Sequence, residues 1–208
     1  YSGSGSTWTD LAGGVGNAAL TSDAFTSDGA RSYFIFSGSS SAALCPSTNL
    51  SAGGMTMEII YSVTTGEAAN CGTYGRMFKY SDTVISLGTY ATNQFRCWVN
   101  AGGSRNSGEF AVNSSTSRYY NYWHHVAFTY DGANVKGYWD NNNSFTVAKT
   151  GALQGSAAVS VGNGDTNLFA GKVAVARLYN RALSATEVAK NFQAYQSRFS
   201  LEEATSIS

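Results

Sequence analysis

The sequence predicts an all-β protein, a sandwich or a barrel, carrying one short C-terminal helix. Three observations predict it. Short runs rich in Tyr, Phe, Val and Ile recur along most of the 208 residues, with turn residues between them. The composition suits both parts, with 13 Tyr and 11 Phe for strands and 23 Gly for turns. Only one stretch, near the C-terminus, has helical spacing behind a helix cap.

Length and charge narrow the class. A domain takes about 100–200 residues, so one domain is the default, with enough chain to bury a full core. Thirteen cations balance 13 acids. That excludes the basic excess a sequence-independent nucleic-acid binder needs. Aromatics are 13% of the chain, which excludes disorder. No apolar run approaches the ~20 residues of a membrane span, so no insertion is expected. The chain begins at Tyr1 and shows no signal peptide. Cys45, Cys71 and Cys97 are odd in number and too far apart for a C-x-x-C motif. They read as buried or partly buried free thiols; one bridge plus one free thiol is the alternative.

Tyr1 to Thr7 reads as a Gly/Ser-rich linker or unpaired arm, and residues 8–200 as the domain. Trp8 to Leu11 is an anchor, and Gly13 to Asn17 is turn material. Strands are predicted over 32–36, 55–62, 76–80, 84–89, 95–100, 122–130, 135–140, 144–149, 157–161 and 172–179. Asp131-Gly132 marks a hairpin, because glycine supplies the positive φ of the primed turns. Asp140 to Asn143 makes the next turn. Gly162 to Asp165 reads as a hairpin loop. Ser184-Ala185-Thr186-Glu187 is a capping box, and Leu183 and Val188 form its staple. Val188, Phe192 and Tyr195 continue the helix, which is expected to seal one end of the fold. Residues 201–208 lack a pattern and read as a flexible tail.

Few residues offer chemistry. His124 and His125 are adjacent on a strand, so they face opposite ways and cannot share a site. One imidazole is expected in or near the core and the other outward. Sugar hydrolysis needs two carboxylates about 5 to 9.5 Å apart. The strand Glu58 to Ser62 offers one, and Glu58 alone reads as a solvated residue. No catalytic residue is assigned. Asp140 with Asn141, and Asn163 with Asp165, are oxygen-rich loops that make calcium the one cofactor to consider. Tyr119, Tyr120, Tyr138, Trp139 and Asp140 are the ligand-binding candidates, since Tyr and Trp dominate binding hot spots.

Three blocks carry a family resemblance. Ser2 to Leu11 resembles a "GSG-T-TW-D-LSG" opening of modules in phage virion proteins and large bacterial surface proteins. Trp123 to Gly132 resembles a central strand and its turn. Tyr179 to Phe192, read as Y-N-R-A-L-S-x-x-E-V-x-x-N-F, is the most specific block. Together they resemble concanavalin A-like, laminin G-like modules. The resemblance implies an antiparallel two-sheet jelly-roll sandwich. Enzymes of the superfamily carry an E-x-D-x-E-type strand, from which Glu58 to Ser62 departs. Modules of this type also begin with a further apolar strand ahead of the GSG segment, which this sequence does not contain.

The implied role is a non-enzymatic virion structural or adhesion protein: a capsid decoration, head fibre or tail-fibre module. Its partners would be host-surface glycans or neighbouring virion proteins, in an oligomer at the virion surface. The alternative is a carbohydrate-binding or adhesion module of a bacterial secreted or cell-surface protein. A polysaccharide hydrolase ranks third. Function lives in sites grafted on folds, so the residues must decide among these.

Overall fold

The structure is a computed structural model. It describes residues 5–14, 16–21, 24–39, 42–50, 53–71, 74–81, 83–88, 94–111, 120–153, 156–162 and 168–203. Two antiparallel sheets face each other. The eight-stranded sheet runs in the order β1 (Thr7–Trp8), β2 (Ala18–Thr21), β5 (Ala42–Thr48), β14 (Ala157–Val161), β7 (Tyr74–Tyr80), β8 (Thr83–Gly88), β9 (Gln94–Ala101), β10 (Ser104–Ala111). The seven-stranded sheet runs β13 (Asn142–Ala148), β12 (Asn134–Trp139), β11 (Trp123–Tyr130), β6 (Met55–Ser62), β15 (Ala170–Tyr179), β4 (Ser32–Ser37), β3 (Ala24–Ser27). The helices are α1 (Thr65–Asn70) and α2 (Ala185–Phe199). This is a two-sheet antiparallel sandwich, as the resemblance implied.

Alternation builds the core. Met55, Met57, Ile59 and Tyr61 of β6 point between the sheets, with Phe78, Tyr80, Cys97 and Val99 from the other side. All eight are at most 3% exposed. β6 is central in its sheet, between β11 and β15, so its other face is buried too, under α2. The predicted ranges of β6 and β14 match the observed ones, and the other predicted strands fall within two residues.

The N-terminal arm is not unpaired where it is described. Thr7 pairs with Ala19, and Ser6 accepts a hydrogen bond from the Leu20 amide, extending the sheet outward. The tail is also tied down at its start. Leu201 is 3% exposed, and Glu203 accepts a hydrogen bond from Asn141. A six-residue helix, α1, appears ahead of β7, capped by Thr64 and Glu67.

α2 begins at the predicted box, with Ser184 and Glu187 satisfying each other's amides. It does not seal an end of the sandwich. It lies across the outer face of the seven-stranded sheet, because that face is apolar. Val188 packs with Ala127, Tyr138 and Leu183, while Phe192 and Phe199 pack with Ile60, Trp123 and Leu201. The three cysteines are free: Cys97 is buried, and Cys45 and Cys71 are half-buried.

Candidate functional site

The densest polar constellation lies beneath α2, centred on Glu58. Strand alternation turns Glu58 away from Met57 and Ile59, onto the face that α2 covers. It is therefore 1% exposed rather than solvated, which corrects the sequence reading. A carboxylate so buried persists only if its lone pairs are satisfied. Oε1 is 2.6 Å from His125 Nε2. Oε2 accepts from Asn191 Nδ2 at 2.9 Å and Tyr179 OH at 3.3 Å. The Arg177 guanidinium, opposite Glu58 in the ladder, lies 3.6 Å away. Burial pushes the Glu58 carboxyl up, but His125, Arg177 and Tyr179 outweigh it and hold it below its ordinary 4.5. Burial and the Glu58 charge push the Tyr179 hydroxyl up, so it stays protonated and donates. Arg177 also donates to Tyr195 and lies 4.8 Å from the centre of its ring. One carboxylate thus fastens three strands and a helix.

The histidines do face opposite ways, yet neither faces solvent. His125 packs against Phe192 under the helix and is 0% exposed. His124 points between the sheets, 4.6 Å from the Trp139 ring. The outward imidazole of the sequence reading is excluded by the helix lying over it.

Asp140 explains the second pair. It starts a two-residue turn with Asn141, at φ 44° and 68°. Its carboxylate turns inward, with Oδ2 2.6 Å from His124 Nδ1 and Oδ1 accepting the His125 amide. Asp140 is 5% exposed, and both its oxygens are engaged by the two histidines. Asn141 is half-buried and donates to Glu203. Asn163 and Asp165 lie outside the described residues. Among the described residues no group of three His, Cys, Asp or Glu side chains could hold a metal.

The aromatic candidates are not brought together as a surface. Tyr138 and Trp139 point to opposite faces, as alternation requires, but each is 4% exposed. Tyr138 is roofed by α2, and Trp139 lies between the sheets. Tyr120 packs half-buried against the core, and Tyr119 lies outside the described residues.

A cleft of about 460 Å³ opens beside β15. The ladder of β15 with β4 ends at Val173, and a bulge at Ala174 turns the strand away. From there to Tyr179 no described strand pairs with that edge. Trp8, Phe78, Val159, Arg177 and Leu178 are among the residues that line the cleft. Sequence reasoning missed both this cleft and the Glu58 cluster. The one available signal was an acid placed among the apolar residues of a central strand.

The concanavalin A-like lectin/glucanases superfamily profile matches residues 36–189, more than half of the chain. The chain belongs to this superfamily. No curated protein matches it at the sequence level. Among solved structures, superfamily-like sandwiches recur in binding domains. The binding domain of Paraclostridial Mosquitocidal Protein 1 is 16% identical, with TM-score 0.68 over 90% of this chain and 49% of that one. The binding domain of botulinum neurotoxin DC, solved in complex with SialylT, is 11% identical, with TM-score 0.70 over 91% and 50%. The chain thus spans about half the length of these toxin domains. Domain 4 of AbnA, an extracellular arabinanase from Geobacillus stearothermophilus, was solved in complex with arabinotriose. It is 17% identical, with TM-score 0.67 over 88% of this chain and 91% of that one. At these identities the likeness is one of fold alone.

Proposed function

We propose that the chain is a non-catalytic recognition module that binds a glycan and serves adhesion on a virion surface, as part of an oligomer. The observation that carries the non-catalytic reading is the state of Glu58. It is the one carboxylate of the central strand, and it is buried under α2 with both oxygens occupied. Hydrolysis by paired acids needs two carboxyls open to a substrate. The recognition reading draws support from the superfamily membership and from similar structures that are binding domains. The virion setting rests on the Ser2 to Leu11 opening alone.

A glycan array separates binding from inertness, and a polysaccharide-cleavage assay on the wild type and on Glu58→Gln tests the absence of catalysis. Binding without cleavage is expected. Cleavage that disappears in Glu58→Gln would overturn the reading. Mass spectrometry of purified particles tests the setting. One observation favours the second reading, a module of a bacterial secreted or surface protein: the similar sandwiches include a domain of a secreted bacterial arabinanase. Recovery of the chain inside a longer secreted polypeptide would select it.

A further inference from the structure

β15 changes its surroundings part-way along. β4 pairs with it from Ala170 to Val173. Past the bulge, Val175 to Tyr179 pair with β6 on one side, and no described strand pairs with them on the other. Burial follows the pairing. Every residue of β6 is buried, whereas each residue from Ala174 to Tyr179 is half-buried. Leu178 stands beside Met57 in the ladder and packs on the same core, yet Met57 is sealed and Leu178 is not. In an antiparallel sheet every second residue turns its N–H and C=O to a given edge. On this edge those groups face the cleft, and each is a strong hydrogen-bonding group.

The cleft along this edge is a slot between the sheets. Ala18, Ala43, Phe78, Val159 and Val161 line it from the eight-stranded sheet, and none has a polar side-chain atom. Leu11 also lines it and is 92% exposed. The loop that carries Leu11 is held by Asp10, whose carboxylate accepts the Ala12 and Gly16 amides and whose own amide donates to Asn17. An apolar side chain held out in solvent beside an apolar slot is surface for a partner to cover. The segment also lacks the usual guards of an open edge. Val175 to Tyr179 contain no Pro or Lys, and their one charge, Arg177, is turned towards Glu58 at 3.6 Å.

Chemistry separates the occupants. A folded partner needs about 1,200–2,000 Å² of contact for a stable interface, and a slot of about 460 Å³ gives a folded surface no such seat. A saccharide would press its hydroxyls against Ala18, Ala43, Phe78, Val159 and Val161, where no side chain can bond them. An extended peptide suits both sides at once, with its backbone paired to β15 and its alternate side chains in the slot. We propose that the open edge of β15 docks an extended strand of a partner polypeptide. The strand is about six residues long, enough to span 174–179, with apolar side chains at alternate positions.

The test titrates a fluorescent octapeptide, Lys-Thr-Val-Thr-Val-Thr-Val-Lys, with the full chain, and follows amide hydrogen exchange of the complex. The peptide should bind and slow exchange at the cleft-facing amides of residues 174–179, leaving residues 170–173 unchanged. The blocked sequence Lys-Val-Val-Val-Thr-Thr-Thr-Lys should bind about tenfold more weakly, because it loses the alternation. N-methylation of the Val amides closes one edge of the peptide, and of the Thr amides the other, so one isomer should lose binding and the other keep it. Leu11→Ser changes an exposed residue and should weaken binding by about threefold without moving the melting temperature. No binding of the alternating peptide, or two methylated isomers that behave alike, would overturn the proposal. Protection of 174–179 that grows with chain concentration alone would assign the edge to a second copy. Protection by arabinotriose would assign it to a glycan, and slow exchange in the free chain at every concentration would show an edge the chain itself closes. Each of those three results also overturns it. A glycan array decides none of these outcomes, so strand docking and glycan recognition fail separately.

Discussion

The outer faces of the two sheets are finished in opposite ways. On the seven-stranded sheet, Ile60, Ala127 and Trp123 make an apolar field with one acid, Glu58, and α2 covers it all. The charge there is neutralised from within by Arg177 and hydrogen-bonded by His125, Tyr179 and Asn191. On the eight-stranded sheet, the same alternation turns Lys79, Arg96 and Trp98 to the outer face, where neither described helix packs, and Trp98 is 6% exposed there all the same. A charged residue in a strand is thus a fastener where a helix covers it. Sequence alternation assigns the face but does not say what lies above it.

Substitutions should separate the two faces by size of effect. Glu58→Ala removes one partner of a buried network, which costs about 3–5 kcal/mol, whereas Leu44→Ala, at a position of the other sheet that is 48% exposed, should cost under about 1 kcal/mol. Urea unfolding monitored by tryptophan fluorescence checks both. Equal costs would break the comparison. Phe192→Ala empties the site under the helix that meets His125, at about 3–5 kcal/mol by chemical denaturation. Acid should act on the covered face as well. The folded value of Glu58 lies below its ordinary 4.5, so its stabilisation is present above that value and lost as pH falls through the lower native one. Glu187, held at about 2 by the Arg181 bond and its capping amide, follows the same sign. The melting-temperature gap between wild type and Glu58→Gln should therefore narrow as pH drops from 5 to 2. Ser184→Ala removes the cap of α2 and should cost about 1 kcal/mol. Chelation with EDTA should move the melting temperature least, since Asp140 is already occupied by its histidines.

Legibility followed the strength of local signals. β6 was readable to the residue because Met55, Met57, Ile59 and Tyr61 alternate without a break. β10, with the sequence Ser-Arg-Asn-Ser-Gly-Glu-Phe-Ala, was missed because only its pairing with β9 makes it a strand. α1 was missed although Thr64 and Glu67 form the same box that revealed α2; six residues carry too little periodicity to show. The Glu58 cluster joins residues more than a hundred positions apart, and Asn191 reaches it only after the helix has folded back. The burial of Tyr138 had the same cause, since its roof is Val188 on that helix.

The three free thiols provide a clock for how this molecule opens. Cys45 lines the cleft, Cys71 is held by the Ala170 backbone, and Cys97 is sealed between the sheets. Burial raises the first two to about 11 and Cys97 well above its ordinary value, so few thiolates exist at neutral pH to react. An alkylating agent should mark them in order of depth as the chain breathes, with Cys45 first and Cys97 only on global unfolding. A single mass spectrum of a timed labelling reaction would then report which layer of the sandwich has come apart.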